Sequence, residues 1–325
     1  MLPQIDQSVK IWRRIERIWS EAGAWPEYIE AMHTVLARQF DQKEFDSEVW
    51  ASLPGLCCQA AGGSAQMAQP VAAAWLLYYA AAHLMDSLED QDDPDPWWQS
   101  WGVGAAINIA TGLYFSASLA LQELSSLPLD APTVRAVTMQ ILQPFLVMCS
   151  GQHQDLVGSE PTLEQYWRIA GAKSGEFFAI SCRSGARLAT DRVDSLRGFH
   201  QFGFNFGLLL QVLDDLKDYK DLSQHDRSVD GRILSRSLPF VYVREVCANA
   251  VRERFDHLLA RTASDPDAMN ALTQIIEENG GTLYLMVELD KYRDLALAGL
   301  DTAGVQDQPR QALVAMLDKL YSPVS

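Results

Sequence analysis

The chain has 325 residues, of which 48% are hydrophobic, and 42 acidic against 26 basic residues give it a formal net charge of −16. This acidic balance argues against nucleic-acid binding, which depends on clustered Lys and Arg side chains. An acidic protein that acts on an anionic substrate needs a positive ion between the two, and a divalent metal would supply it.

Apolar residues recur at helical spacing along nearly the whole chain. Gly, Pro and Asp cluster at the breaks, for example at 92–96, 127–130 and 158–161. No strand-like alternation of useful length occurs, so we expect residues 1–325 to form a single all-α domain, a large helical bundle. The predicted helices cover approximately residues 8–22, 26–42, 66–91, 97–125, 132–157, 163–189, 192–222, 235–261, 266–279, 282–298 and 308–320.

The five cysteines give an odd count and form no Cys-x-x-Cys motif. This pattern, with apolar neighbours, predicts reduced, buried thiols in a cytoplasmic protein. The first residues lack the charged-then-apolar pattern of a secretion signal. The apolar run at 71–85 is too short to cross a bilayer, so we expect no transmembrane segment.

The predicted helix 66–91 ends in a cluster of acids. Asp86 and Asp90 are four residues apart, and Asp86 and Glu89 are three apart, so the three carboxylates share one helix face. Adjacent carboxylates at the negative end of a helix dipole destabilise one another and the helix. A bound cation would offset both effects.

A second acidic cluster follows the apolar segment 202–213. Asp214 and Asp218 are again four residues apart, and Asp215 lies between them. A single Asp-x-x-x-Asp at a helix end is more often a solvated surface feature than a metal site, but two clusters that both follow apolar helices favour metal binding. Oxygen ligands without His or Cys suit Mg²⁺, whereas a di-iron site would need two Glu-x-x-His motifs.

Several segments between about residues 60 and 245 resemble the trans-isoprenyl diphosphate synthase family. The cluster at 86–90 stands in the place of that family's first Asp-Asp-x-x-Asp motif. The further matches are 151–155, similar to the family's Gly-Gln-x-x-Asp segment; 166–177, similar to its Lys-Thr helix; 207–218, similar to its second aspartate-rich motif; and 236–239.

The resemblance implies an all-α bundle around a deep central pocket, in which an allylic isoprenoid diphosphate is ionised with the help of three Mg²⁺ ions. It also implies a homodimer. Lys173 and Gln211 would act on the leaving diphosphate, Arg183 and Arg236 are further candidates to bind it, and Tyr78 would contact the prenyl chain. For Arg183 a surface ion pair is the alternative. The metal ligands implied are Asp86, Glu89, Asp90, Asp214, Asp215 and Asp218, with Asp215 either a weaker ligand than the others or a residue that supports them without contacting the metal.

The chain departs from the family in two regions. In the first motif the second acid is replaced by Ser87, and residues 93–98, Asp-Pro-Asp-Pro-Trp-Trp, stand where the family has an Arg pair. The family's Gly-Lys-x-x-Arg-Pro segment, which binds isopentenyl diphosphate, corresponds to residues 49–54, where Trp50 and Leu53 replace the two cations. A second diphosphate would be costly to bury there. We therefore expect prenyl transfer to an acceptor other than isopentenyl diphosphate.

Three other outcomes stay open. The cation could close on itself, as in a terpene synthase that releases diphosphate. Ordinary head-to-tail elongation could continue with other basic residues, such as Arg38 or Lys43. The chain could also be an inactive subunit of a heteromeric synthase. Finally, the acidic pattern followed by Trp is similar to that of the peptide-pheromone prenyltransferases of bacterial competence systems.

Overall fold

A computed structural model describes residues 4–41, 47–90, 96–158, 160–224, 234–262, 264–305 and 307–321. Within these ranges all regular elements are helical, which confirms the all-α prediction. The α-helices are α1 (Gln4–Glu21), α2 (Pro26–Asp41), α3 (Ser47–Ala60), α4 (Gln69–Asp90), α5 (Gly102–Gln122), α6 (Ala131–Val157), α7 (Leu163–Ala170), α8 (Glu176–Arg187), α9 (Val193–Gln224), α10 (Leu238–Val246), α11 (Asn249–Leu259), α12 (Pro266–Glu278), α13 (Gly281–Ala303) and α14 (Asp307–Tyr321).

Two expectations about the helices were wrong. Sequence reasoning assigned no helix to α3, because Pro54 and Gly55 interrupt its apolar pattern, yet the helix continues through both residues. The segment 235–261 was expected to be one helix and is two, α10 and α11. The break falls at Cys247 and Ala248, which both have extended backbone, and neither residue type marks a turn in the sequence.

The chain divides by its internal contacts into two compact units, which are described separately; the single domain stays a prediction. Unit 1 comprises Met1–Gln143, Ala179–His200 and Gly299–Ser325. Its core contains α4, which packs along α5 and is almost entirely apolar before its acidic end. The largest fully buried side chains include Trp19 and Trp75. Burial of this Ala-rich helix fixes the place where its terminal carboxylates emerge.

Unit 2 comprises Pro144–Phe178 and Gln201–Ala298. One buried cluster contains Tyr219 from α9, Phe240 from α10, Phe255 from α11 and Leu272 from α12. The ring of Phe240 lies 6.4 Å from that of Tyr219 and 6.0 Å from that of Phe255. These contacts are edge-on or tilted, arrangements that pairs of aromatic rings prefer. This cluster holds the C-terminal part of α9, which carries the second acidic cluster.

The expectations that the protein is cytoplasmic and that it has no transmembrane segment both stay predictions. The segment Gln99–Ser126 is long and apolar enough to cross a membrane by length and composition, a test that the core helices of water-soluble proteins also pass. The expected absence of a transmembrane segment was based on the run at 71–85 and did not consider this segment.

All five cysteines are free and four are buried, but Cys149 is exposed, so the prediction of buried thiols was wrong at that position.

Candidate functional site

The first acidic cluster lies at the C-terminal end of α4, in unit 1. Asp86 and Glu89 are half-buried and Asp90 is exposed. Two turns before Asp86, Tyr78 is buried, and its hydroxyl lies 3.3 Å from that of Ser118 on α5. Burial raises the pKa of the Tyr78 phenol. Tyr78 therefore lies in the contact between α4 and α5, and its contact with a prenyl chain stays a prediction.

Two tryptophans follow this cluster in unit 1. The indole nitrogen of Trp98 donates to the hydroxyl of Ser87, and the guanidinium of Arg38 on α2 lies over the ring of Trp97, 5.0 Å from its centroid. Sequence reasoning noted these tryptophans as replacements for an Arg pair and as part of the similarity to the peptide-pheromone prenyltransferases, but assigned them no contacts. The bond to Ser87 could not be inferred from helical spacing, because Trp98 lies beyond the end of α4.

The second acidic cluster lies on α9, in unit 2, and its members point in different directions. Asp214 and Asp218 are exposed, whereas Asp215 is only 7% exposed. Burial raises the pKa of the Asp215 carboxyl to about 6, and hydrogen bonds from Tyr166, Leu238 and Gln211 act in the opposite direction. Asp214 and Asp218 are thus accessible to a cation, and Asp215 is enclosed by protein.

Lys173 lies in the middle of a π-helical turn, Gly171–Gly175, between α7 and α8. Such turns are rare and occur often at functional sites. The turn packs closely against α9, because a Cβ at Gly175 would lie 2.7 Å from the Phe204 ring and one at Gly207 would overlap the carbonyl oxygen of Ser174. The glycines of the turn and of α9 therefore fix the place from which the Lys173 side chain extends.

Asp155, at the end of α6, brings together two cations that the sequence predicted to bind diphosphate. Lys173 Nζ donates to its Oδ2 at 2.9 Å. The Arg236 guanidinium lies 3.5 Å from its Oδ1 and donates to the backbone carbonyl oxygens of Asp155 and Gly158. All three side chains keep part of their surface exposed. An ammonium has three N–H donors, so Lys173 can bind Asp155 and a diphosphate oxygen together.

Gln211 connects the π-helical turn that carries Lys173, called here the lysine turn, to the second acidic cluster on α9. Its Oε1 accepts from the Ser174 hydroxyl at 2.8 Å, and its Nε2 donates to Asp215 Oδ1 at 3.2 Å. On α6, close in the chain to Asp155, Gln152 has a buried amide whose oxygen and nitrogen have no hydrogen-bond partner in the described part of the chain. Buried polar groups are normally paired, so this amide is suited to a polar ligand. Arg183 is half-buried on α8 in unit 1, and its role stays a prediction.

The carboxylates suit Mg²⁺ in their chemistry. Among the described residues no three Asp, Glu, His or Cys side chains form a group that could hold a metal on its own. Mg²⁺ is usually held by one or two carboxylates together with waters and substrate phosphates. The pairs Asp86 and Asp90, and Asp214 and Asp218, would each supply such a partial set of ligands.

The all-α fold is that of an isoprenoid synthase. The chain belongs to the polyprenyl synthetase family, whose model matches residues 54–276, and it is a prenyltransferase.

Two curated relatives and one solved structure illustrate the similarity. Geranylgeranyl diphosphate synthase of Mycobacterium tuberculosis is 29% identical over 238 residues, 69% of this chain and 67% of the relative. Tryptophan prenyltransferase ComQ of Bacillus spizizenii is 27% identical over 163 residues, 50% of this chain and 54% of the relative. The structure of geranylgeranyl pyrophosphate synthase from Corynebacterium glutamicum, complexed with calcium and isoprenyl diphosphate, superposes with a TM-score of 0.76 at 19% identity, covering 99% and 96% of the two chains.

Proposed function

We propose that this prenyltransferase ionises an allylic isoprenoid diphosphate with Mg²⁺ and transfers the prenyl group to an acceptor other than isopentenyl diphosphate. The ionisation step is supported by the arrangement of charged residues in unit 2. Asp214 and Asp218 are exposed one turn apart on α9, and α9 packs against the turn that carries Lys173. We expect three Mg²⁺ ions, as in the family, with Asp86, Glu89 and Asp90 as further ligands.

The chain's own groups would act on the diphosphate as it departs. Mg²⁺, when bound, would neutralise the charge that grows on the leaving group. Lys173 and Arg236 carry positive charge that is already ordered by Asp155, so little reorganisation is needed to donate to the diphosphate oxygens. Gln211 holds the lysine turn against α9. The apolar residues that precede each acidic cluster would shield a carbocation from water.

The identity of the acceptor depends on unit 1. Leu53 is completely buried and stands where the family resemblance expects a cation for a second diphosphate. The Trp50 side chain, at the other such position, lies outside the described residues. The similarity to a relative named as a tryptophan prenyltransferase also supports a different acceptor. We propose a tryptophan side chain in a peptide as the first acceptor to test.

Head-to-tail elongation is the second candidate. It is favoured by relatives named geranylgeranyl and farnesyl diphosphate synthases, which match a longer part of the chain than the tryptophan prenyltransferase does. Elongation would need basic residues elsewhere in the chain, because 49–54 contains none. Arg38 is exposed, and its guanidinium contacts the Trp97 ring.

One set of incubations separates the candidates. The full-length protein is mixed with Mg²⁺ and farnesyl or geranylgeranyl diphosphate, alone, with isopentenyl diphosphate, or with a Trp-containing peptide. Released pyrophosphate is measured, and products are identified by mass spectrometry. We expect a prenylated peptide; longer diphosphates would establish elongation, and hydrocarbons would establish cyclisation. Absence of Mg²⁺-dependent pyrophosphate release with every substrate would refute ionisation and favour the inactive subunit.

A further inference from the structure

Asp215 makes a set of hydrogen bonds that differs in kind from that of a metal ligand. Its Oδ2 accepts from the Tyr166 hydroxyl at 2.7 Å and from the backbone N–H of Leu238 at 2.7 Å. Its Oδ1 accepts from Gln211 Nε2 at 3.2 Å. All of these residues belong to unit 2. Both carboxylate oxygens are therefore bound by the protein, in a side chain that is almost completely buried.

The bond to Leu238 makes Asp215 the cap of a helix to which it does not belong. Leu238 is the first residue of α10, where backbone N–H groups lack intrahelical partners. Ser237 precedes it but makes no capping bond, and its hydroxyl lies 3.2 Å from the carbonyl oxygen of Leu234, to which it donates. A negative charge at this end of α10 is also stabilised by the helix dipole. Asp215 thus ties α9 to the start of α10.

We propose that Asp215 is a positioning residue that fixes the rotation of α9, and that Asp214 and Asp218 hold the cation without it. Successive residues of a helix are about 100° apart, so fixing Asp215 on the inner face directs Asp214 and Asp218 outward. This inference rests on the proposed Mg²⁺-dependent function; of the two roles expected for Asp215, it selects the supporting one and names the contacts through which the residue acts.

The same network extends to the lysine turn. The Ser174 hydroxyl donates to Gln211, Gln211 donates to Asp215, and Tyr166 on α7 donates to Asp215 from the other side. Ser174 is the neighbour of Lys173. The network therefore holds the acidic pair and the lysine in register, and its loss affects the binding of Mg²⁺ and of diphosphate together.

Asp215→Asn separates positioning from ligation. Its amide oxygen can accept from Tyr166 and Leu238, and its amide nitrogen can donate to Gln211, because the Gln211 amide can turn over while the Ser174 hydroxyl switches from donor to acceptor. The neutral amide is a poor Mg²⁺ ligand. We expect Asp215→Asn to keep the Mg²⁺ half-saturation for inorganic pyrophosphate, measured by calorimetry, within about threefold of wild type. Asp214→Asn should raise it at least about tenfold.

Two further variants test the network itself. Asp215→Leu breaks all three bonds and should raise the Mg²⁺ half-saturation at least about tenfold and lower the rate of pyrophosphate release at least about 100-fold. Tyr166→Phe removes one donor and should raise the half-saturation about three- to tenfold. In the Asp215→Leu background the effect of Tyr166→Phe should disappear, because the two residues act through one bond.

The results that would overturn the inference are specific. An Asp215→Asn variant that loses Mg²⁺ affinity as severely as Asp214→Asn would show that Asp215 is a ligand. A folded Asp215→Leu variant with wild-type affinity would show that it positions nothing. If Asp215→Leu does not fold, the comparison of the two Asn variants still decides. A wild-type protein that binds no Mg²⁺ with pyrophosphate would overturn both the proposed function and this inference, whereas the first two results leave the function intact.

Discussion

The indole N–H of Trp98 donates a hydrogen bond of 2.9 Å to the hydroxyl of Ser87, the residue that follows Asp86. Trp98 is 7% exposed, so this bond is largely sheltered from water. Next to it, Trp97 contacts the guanidinium of Arg38. The residues after the first acidic cluster are thereby attached to α4 by one tryptophan and to α2 by the other.

The bond between Ser87 and Trp98 should be measurable as stability. Ser87→Ala leaves a sheltered indole N–H without its acceptor and should lower the free energy of unfolding by about 1–3 kcal/mol. In a Trp98→Phe background, where the donor is absent, the same change should cost much less. Urea unfolding of wild type, the two single variants and the double variant gives the coupling free energy between Ser87 and Trp98. Ser100→Ala, at an exposed position nearby, is the control, and equal stability of Ser87→Ala and wild type would contradict the prediction.

The acidic pairs Asp86 and Asp90, and Asp214 and Asp218, should both be needed for ionisation. Asp86→Ala and Asp214→Ala are each expected to lower Mg²⁺-dependent pyrophosphate release at least about 100-fold, because each removes charge that holds the metal. Asp194→Ala is a matched control on α9, since Asp194 forms only an exposed ion pair with Arg197. Such pairs contribute little. Full activity of either test variant would remove that cluster from the metal site.

Lys173 should contribute more to the reaction than an ordinary lysine in an ion pair. Lys173→Met removes a charge that acts on the leaving diphosphate, and we expect the rate of release to fall about 10- to 1,000-fold. Lys291 provides the comparison, because it is paired with Glu288 at 2.6 Å on α13 and has no assigned role. Lys291→Met should keep the rate within about threefold. Similar losses in both variants would indicate a general effect of charge.

Cysteine reactivity should follow burial. Burial raises the pKa of the Cys58 thiol to about 12, so its reactive thiolate is scarce at pH 8. Cys149 is exposed, whereas the other cysteines are buried. Iodoacetamide at pH 8 should therefore label Cys149 first in the native protein and all five cysteines after denaturation. Peptide mapping identifies the labelled sites, and rapid native labelling of Cys58 would contradict this burial.

The expected homodimer has a candidate surface on α5. Large apolar side chains remain exposed along one face of this helix, at intervals of four or eight residues, and such a row favours contact with a second copy. Phe115→Glu combined with Leu119→Glu should convert a dimer to a monomer, as measured by light scattering; Thr111→Glu alone should act more weakly. A wild-type monomer would disprove the prediction. The exposed residues are Val103, Ile107, Phe115 and Leu119.

Local spacing was sufficient to predict most of the helices and the two acidic clusters, since both depend on residues close in the chain. It also contained an unused signal about Asp215. That residue continues the row formed by Leu208, Val212 and Tyr219, all of which are buried. A carboxylate on such a row faces inward. Its inclusion among the implied metal ligands relied on the motif alone, without this periodicity.

The partners of the site residues could not be predicted in this way. Tyr166 lies 49 positions from Asp215, and Asp155 lies 18 from Lys173. Only the packing of different helices brings such residues together. The π-helical turn was also missed, because the glycines around Lys173 could equally mark an ordinary helix with small residues. The backbone conformation of Gly171–Gly175 distinguishes the two, and the sequence does not contain it.

The absence of a side chain at Gly207 limits how this enzyme can be redesigned. Any Cβ there would meet the backbone of Ser174, which cannot move without displacing the turn that carries Lys173. Libraries intended to change the product should therefore leave position 207 unchanged. Asn205, half-buried on the same helix, is a more tolerant position. The ability to evolve new prenyl products is thus confined to residues that do not separate α9 from the lysine turn.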